Sequence, residues 1–293
     1  MGETNTWPAN RVAELVGSPV VGLRPLGGAG FGRPYAAKLA DGRTLFVKAQ
    51  QDAPVGFFTD EAAGLRWLAE VPGGARTAAV RAVDEQMLIL ELIDSAPATR
   101  TAAVDFGRRL AITHDGGAER FGLDHGTRIA SEPLPAGDGQ QTWASFYAEA
   151  RLQPFLDRAV DRASISDDDR DAVQQVIAQL PDLVGPDEPP ARLHGDLWSG
   201  NLLWTAETAV LIDPAAHGGH REVDLAMLQL FGAPELTSIL AGYQDQHRLA
   251  PGWQDRVELY QLFPLLVHAV IFGGSYGAAA GDAAGRCLRR HRP

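Results

Sequence analysis

Hydrophobic and polar positions repeat with two different periods along this chain, and the period changes near residue 98. Between Val20 and Ile93 the apolar residues come in short alternating runs, "PVVGLRPL", "PYAAKLADGRTLFVKAQ" and "QMLILELI", which predict half-buried strands. Asp41-Gly42 divides the second run and marks a hairpin, since both residues tolerate positive φ. One amphipathic stretch interrupts the strands: "TDEAAGLRWLAE" predicts a helix from about Thr59 to Glu70, with Thr59 as N-cap and acidic residues in the first turn. From about Ala98 the helical period takes over, in "AAVDFGRRLAITH", "TWASFYAEARLQPFLDRAV", "DRDAVQQVIAQL", "EVDLAMLQLF" and "RVELYQLFPLLVHAV". The only strand-like interruption expected there is "LLWTAETAVLIDP", two apolar triplets about a turn. The prediction is an α+β fold, with a small antiparallel sheet and one helix followed by a larger, mainly helical region.

Composition narrows what such a fold could do. With 293 residues, 45% of them hydrophobic, the chain can bury a sizeable core. A net charge of -11 argues against nucleic acid or acidic membranes as partners, because Lys/Arg excess drives both. The single cysteine, Cys287, gives no disulfide framework and suits a reducing, cytoplasmic setting. The most apolar run, Leu262 to Phe272, contains Pro264 and His268 and falls short of the roughly 20 residues that span a bilayer. It reads as a buried helix. "MGETNT" formally fits a myristoylation pattern but has no basic cluster as second anchor, so we read it as chance.

The candidate chemistry begins at "HGDLWSGN", residues 194–201. If Trp204 pairs near Ala209 or Val210 in the predicted hairpin, Asn201 faces Ile212 or Asp213 across the ladder. Asp196, Asn201 and Asp213 then form the oxygen-rich group that phosphoryl transfer needs. The loop aspartate orients the acceptor hydroxyl as base, while the asparagine and second aspartate hold Mg²⁺. Taken singly, each would read as a turn cap or a strand end.

The first half of the chain supplies a partner set. In "RTLFVKAQ", alternation puts Thr44, Phe46 and Lys48 on one face of a strand. Glu61 shares a helical stripe with Leu65 and Leu68, so its carboxylate points inward and needs a cation. Lys48 is the expected partner, and a lysine oriented in this way holds nucleotide phosphates. One hairpin earlier, "LGGAGFGRPYAAKL" carries Gly27, Gly28, Gly30 and Gly32, of which Gly28 and Gly30 are the chosen phosphate contacts. At the sheet's end, the backbone of Glu91 and Ile93 is positioned to meet an adenine edge.

These residues resemble the fructosamine kinase (ketosamine kinase) family, relatives of aminoglycoside and choline phosphotransferases with a protein-kinase-like bilobal fold. "HGDLWSGN", "DPAAHGGHREVDLAMLQLFG" and "LYQLFPLLVHAVIFGGSY" carry the resemblance, which extends from about Val20 to Tyr276. It implies ATP-dependent phosphorylation, with Mg²⁺, of a ketoamine such as fructosamine or ribulosamine at the sugar 3-hydroxyl. It also implies residues 1–93 as the nucleotide-binding lobe, with its hinge at 91–94, and 94–293 as the lobe holding catalytic loop, metal site and acceptor pocket. Phe31 and Arg33 depart from the small or polar residues expected in the glycine loop. Trp198, His217, His220, Glu222 and His268 are candidates to line the acceptor pocket, with Glu222 pairing the amine. His194 is expected to brace the catalytic loop, and Asp224 to bond loop backbone N–H groups. An aminoglycoside- or choline-type phosphotransferase is the alternative within the same class, and two other classes stay open at this point: a metallohydrolase built on His194, Asp196, Asp213, His217 and His220, and a noncatalytic nucleotide-binding module. Oligomeric state is not legible.

Overall fold

The computed structural model describes residues 7–27, 31–123, 127–137, 139 and 142–290. A helix that was not among the expected elements, α1 (Trp7–Val16), precedes a five-stranded antiparallel sheet. Its strands are β1 (Val20–Pro25), β2 (Arg33–Leu39), β3 (Thr44–Ala49), β5 (Val80–Asp84) and β6 (Met87–Glu91), in the order β1-β2-β3-β6-β5. The alternation in β3 serves two cores. Leu45, Val47 and Ala49 pack toward Val12 of α1. Phe46 faces the opposite way, toward α2 (Phe57–Ala69). Gly42, at φ 91°, makes the β2–β3 turn as expected.

Helix α2 begins two residues earlier than its sequence suggests. Gly56 caps it at φ 83°, and Thr59 lies in the first turn with its hydroxyl donating to the Gly56 carbonyl at 3.2 Å. The reason is burial. Phe57 and Phe58 are buried against the sheet, at about 1.5–3 kcal/mol each. That outweighs the roughly 1 kcal/mol a threonine N-cap supplies.

After β6 the chain is mainly helical. In order come α3 (Arg100–Asp115), strands β7 (Thr127–Ile129) and β8 (Glu132–Leu134), α4 (Trp143–Phe146), a π-helical segment (Tyr147–Leu152), α5 (Gln153–Asp161) and α6 (Asp167–Leu183). Then follow β9 (Ala191–Leu193), β10 (Leu202–Trp204), β11 (Ala209–Leu211), β12 (His217–Gly219), α7 (Glu222–Leu230), α8 (Leu236–Gln246), α9 (Val257–Phe272) and α10 (Tyr276–Arg290). Ser166 caps α6 by accepting the Asp169 N–H. The predicted Leu262–Phe272 helix is the apolar half of α9, and Leu262, Phe263 and Leu266 are all buried. Among the described residues, no helix is long and apolar enough to cross a membrane.

The strands of this region exceed the one expected hairpin. The β10–β11 hairpin forms, with Trp204 opposite Ala209, and the Ile212 N–H donates to the Asn201 carbonyl at 3.2 Å. In addition β9 pairs with β12 and β7 with β8, all as triplets too short to show a period. The hairpin also gains a third, parallel strand, β4 (Arg76–Thr77), from the segment after α2.

Candidate functional site

The loop between β9 and β10 is held from below by one carboxylate. Asp224, in the first turn of α7, is buried and accepts the N–H groups of His194 at 2.8 Å and Gly195 at 2.9 Å. Gly195 has φ 82°, and a Cβ there would lie 2.2 Å from the Ala215 carbonyl oxygen, so only glycine lets the two loops approach. His194 donates Nε2–H to the Ile212 carbonyl at 2.9 Å, and its Nδ1 accepts the Asp196 N–H at 3.2 Å. Both ring nitrogens are committed, and burial keeps the imidazole below its usual pKa. His194 is therefore a neutral brace, as expected.

Asp196 lies partly buried in that loop. Desolvation and the nearby charge of Asp213 push its carboxyl up to about 7. Asn201 donates Nδ2 to the Asp196 carbonyl at 2.9 Å and carboxylate at 3.2 Å, and weakly to the Asp213 carbonyl at 3.4 Å. The amide nitrogen thus belongs to the loop, which leaves the amide oxygen for other partners. Asp213 itself has φ 52°, a conformation that non-glycine residues seldom adopt outside functional sites.

Lys48 joins the two halves of the chain here. Its ammonium donates to Glu61 Oε2 at 2.9 Å and to Asp213 Oδ1 at 2.8 Å, across sequence separations of 13 and 165 residues. Desolvation opposes the charge on Lys48, but the two carboxylates overcome it and raise its pKa. Glu61 is buried, and desolvation, reinforced by Asp213, lifts its carboxyl to about 8 against the pull of Lys48. Asp213 keeps 43% of its side chain exposed. Desolvation is the largest influence on it, yet Lys48 and the surrounding hydrogen bonds hold it below the usual carboxylate range.

Of the glycine loop, Gly28 and Gly30 lie outside the described residues. Gly32 stands beside the lysine, where an added Cβ would lie 3.2 Å from Lys48 Cγ. Phe31 folds back onto Phe57 of α2 with ring centroids 4.4 Å apart, which accounts for an aromatic residue in this loop. At the sheet's end, the Glu91 N–H is taken by the Ala79 carbonyl at 2.9 Å and its carboxylate accepts from Arg76. The Ile93 N–H has no hydrogen-bond partner among the described residues. Partly buried Phe46, Ile93, Leu203 and Ile212 pack against the buried cluster that includes Leu90, and Phe46 lies opposite Leu90 in the sheet.

Three expected acceptor-lining residues are corrected by the structure. Glu222 is buried in a bidentate pair with Arg256, at 2.6 and 2.8 Å, so its carboxylate is spent inside the helical region. His220 is buried and stacked on Tyr260, and burial lowers its pKa to about 4. His217 is buried with Nδ1 donating to the Ala215 carbonyl at 2.8 Å, and burial and Arg151 lower it to about 3. The polar motif that carries these residues is a folded knot, not a pocket wall. The zinc reading loses its ligands with them. Among the described residues, no group of three or more His, Cys, Asp or Glu side chains could hold a metal.

Trp198 and His268 fare differently. Trp198 is 40% exposed and meets Phe231 edge-on at 6.3 Å. Phe231 contacts His268 at 4.8 Å, and His268 contacts Phe272 at 5.4 Å and Tyr276 at 5.0 Å. A run of rings therefore leads away from the catalytic loop. Phe231 and Phe272 were not singled out in the sequence, because they come from the ends of two helices, where nothing local separates such a ring contact from core packing.

The whole chain superposes on proteins of known structure that transfer phosphoryl groups. A Thermobifida fusca protein provisionally assigned as a fructosamine-3-kinase has a TM-score of 0.92 at 45% identity, covering 96% of this chain and 98% of its own. A macrolide 2'-phosphotransferase from Brachybacterium faecium shares the fold, with a TM-score of 0.66 at 18% identity over 98% of this chain and 99% of its own. Among curated proteins, a "Probable ketoamine kinase" of Lactiplantibacillus plantarum is 34% identical over 280 residues, 94% of this chain and 96% of the relative. The fold is protein-kinase-like, and the chain is a phosphotransferase acting on an alcohol group. It belongs to the fructosamine kinase family, whose pattern it matches over residues 12–290.

Proposed function

We propose that this enzyme transfers the γ-phosphoryl group of ATP to a sugar hydroxyl, the 3-hydroxyl, of a ketoamine such as a fructosamine or ribulosamine. The observation that carries the reading is the meeting of Lys48 with Glu61 and Asp213, 2.9 and 2.8 Å away, beside the Asp196–Asn201 loop. Residues 1–93 are the nucleotide-binding lobe in this reading, and 94–293 bind the acceptor and carry out transfer. Adenine lies against Leu90, Phe46 and Leu203, with the Ile93 N–H and the Glu91 carbonyl at its edge. Gly28, Gly30 and Lys48 meet the phosphates, and Glu61 orients the lysine.

The donor set suits Mg²⁺. Asp213 offers a half-exposed carboxylate with one oxygen free of Lys48, and Asn201 an amide oxygen, both hard ligands in small number. Bound there, Mg²⁺ neutralises phosphate charge during transfer. Asp196 accepts the proton of the acceptor hydroxyl, and its raised pKa suits a base working near neutrality. Trp198, Phe231, His268 and Tyr276 line the acceptor. His268 donates Nδ1–H to the Pro264 carbonyl at 2.8 Å, so Nε2 is a bare acceptor fit for a sugar hydroxyl. With Glu222 spent on Arg256, the ring faces are left to receive the protonated amine. A noncatalytic module fits poorly, since lysine, base and metal ligands are all in place.

The test is a screen of ATP turnover against ketoamines of different sugar length, aminoglycosides and choline, with the phosphorylated position located by NMR. Ketoamine-dependent ADP release with phosphate on the sugar is expected. Efficient turnover of kanamycin or choline with none of any ketoamine would overturn the substrate assignment and leave the class standing.

A further inference from the structure

Helix α2 carries Glu61, Gly64 and Trp67 at intervals of three residues, which places them on one face. Each touches a different part of the machinery. Glu61 bonds Lys48 at 2.9 Å. At Gly64 a Cβ would lie 3.2 Å from both Ala216 Cβ and Pro214 Cγ, so the helix backbone rests directly on the segment that follows Asp213. Trp67, at the far end, meets Arg192. The guanidinium lies over the indole, 4.4 Å from its centroid, and Nη1 donates to the Trp67 carbonyl. Arg192 also reaches the Glu70 carboxylate at 3.3 Å and the Gly117 carbonyl at 3.2 Å.

Arg192 sits on β9 opposite Gly218 of β12, two residues before His194 of the catalytic loop. Its backbone is thus fixed to the catalytic strand while its side chain grips the C-terminal end of α2. Glu61 does not hold the helix by itself. Among the described residues its Oε1 is buried without a hydrogen-bond partner, and a half-satisfied buried carboxyl group favours moving out into water. Something must oppose that drift from elsewhere on the helix.

We propose that Arg192 is a positioning residue for phosphoryl transfer: by clamping Trp67 it holds α2 on the helical region, and so keeps Glu61 against Lys48. The clamp reaches neither nucleotide nor acceptor. It acts on the nucleotide side alone, because the row it completes ends at the lysine and not at the ring wall. The proposal rests on reading Lys48 as a phosphate ligand.

The test replaces Arg192 by Leu and by Lys, and reads the Kd of Mg·ATP by calorimetry alongside kcat and KM with fructoselysine as acceptor. For Arg192→Leu, kcat/KM for the nucleotide is expected to fall roughly 10–100-fold, the scale of a 1 Å misplacement, with the acceptor KM unmoved. Arg192→Lys should recover part of this, since it restores a charge and a donor without the planar stack. In a Glu61→Gln background the Arg192→Leu effect should largely vanish, because both changes act through one contact. Wild-type nucleotide parameters in Arg192→Leu, or full additivity with Glu61→Gln, would overturn the proposal. Should Arg192→Leu melt below assay temperature, Gly64→Ala takes its place, pressing α2 off Pro214 and Ala216. The same nucleotide-side loss is expected from it, and unchanged nucleotide binding would refute the clamp. Failure of the wild-type protein to bind Mg·ATP would instead refute the reading of Lys48.

Discussion

In the proposed reading, the phosphate end of the site and its acceptor end are built by different means. At the phosphate end, Lys48, Glu61, Asp213, Asn201 and Asp196 are joined by directional hydrogen bonds of 2.8 to 3.4 Å. At the acceptor end, Trp198, Phe231, His268, Phe272 and Tyr276 meet only through ring contacts of 4.8 to 6.4 Å. Transfer of a phosphoryl group makes the same demand whatever the acceptor, and directional bonds fix that geometry. A wall of rings fixes shape and polarity more loosely. It is the part free to differ between enzymes that share the chemistry.

The largest test of this contrast falls on the base. Asp196→Asn should lower kcat by about 10²–10⁴-fold while leaving Mg·ATP binding and the melting temperature near wild type; a kcat within a few-fold of wild type would remove Asp196 from its role. Next comes the cation. Asp213→Ala leaves only the neutral Asn201 amide, and the Kd of Mg·ATP should rise by more than the roughly 10–100-fold that losing a ligand's supporting partner costs, which calorimetric titration with and without Mg²⁺ will show. The acceptor end should respond more softly. Trp198→Ala removes one aromatic face, about 0.5–1.5 kcal/mol, so the ketoamine KM should rise only by roughly 2–12-fold with nucleotide binding untouched.

The pH profile sharpens the comparison further. As the proposed base Asp196 would work deprotonated, and its carboxyl is pushed up to about 7. Activity should therefore be lost as pH falls through that value, giving kcat/KM an acid limb centred near 7 in a steady-state profile. A limb centred below 5 would show that the aspartate is not raised. The smallest effect on catalysis is expected at Glu222. Glu222→Gln breaks a buried pair with Arg256, costing about 3–5 kcal/mol of stability, yet the ketoamine KM below the new melting point should stay as it was. A large rise in that KM would return Glu222 to the acceptor pocket.

The same division governs what the sequence revealed. Lys48 and Glu61 could be paired because strand alternation and the helical stripe each fix a direction, and the two directions converge. The short turn narrowed the hairpin register to Asn201 opposite Ile212 or Asp213, and the structure has Ile212. Glu222 was misread because a glutamate at a helix start in a polar motif has the local pattern of an exposed residue. Its partner Arg256 lies 34 residues away on another element, with no local signal. The triplets β7, β8, β9 and β12 escaped for a related reason: they are short, and tertiary pairing rather than periodicity makes them regular. Helix α1 differs, because its ten residues are amphipathic and pack Trp7, Val12, Leu15 and Val16 on the sheet; its pattern was legible and went unread. Thr59 was taken for a cap because its chemistry suits one, while Phe57 and Phe58 moved the helix start by being buried.

The parallel pairing of β4 with β11 bears on how the molecule opens and comes apart. The Ala78 N–H donates to the Leu211 carbonyl at 3.0 Å, and Leu211 lies two residues before Asp213. The Ala96 N–H donates to the Trp204 carbonyl at 2.8 Å, a second stitch into the same hairpin. A stretch of the nucleotide-side chain is in this way an integral strand of the sheet that carries the catalytic loop. Neither half can melt alone without unzipping that ladder, so heating should give one cooperative transition, and the amides of Ala78 and Ala96 should exchange with solvent as slowly as those of the core.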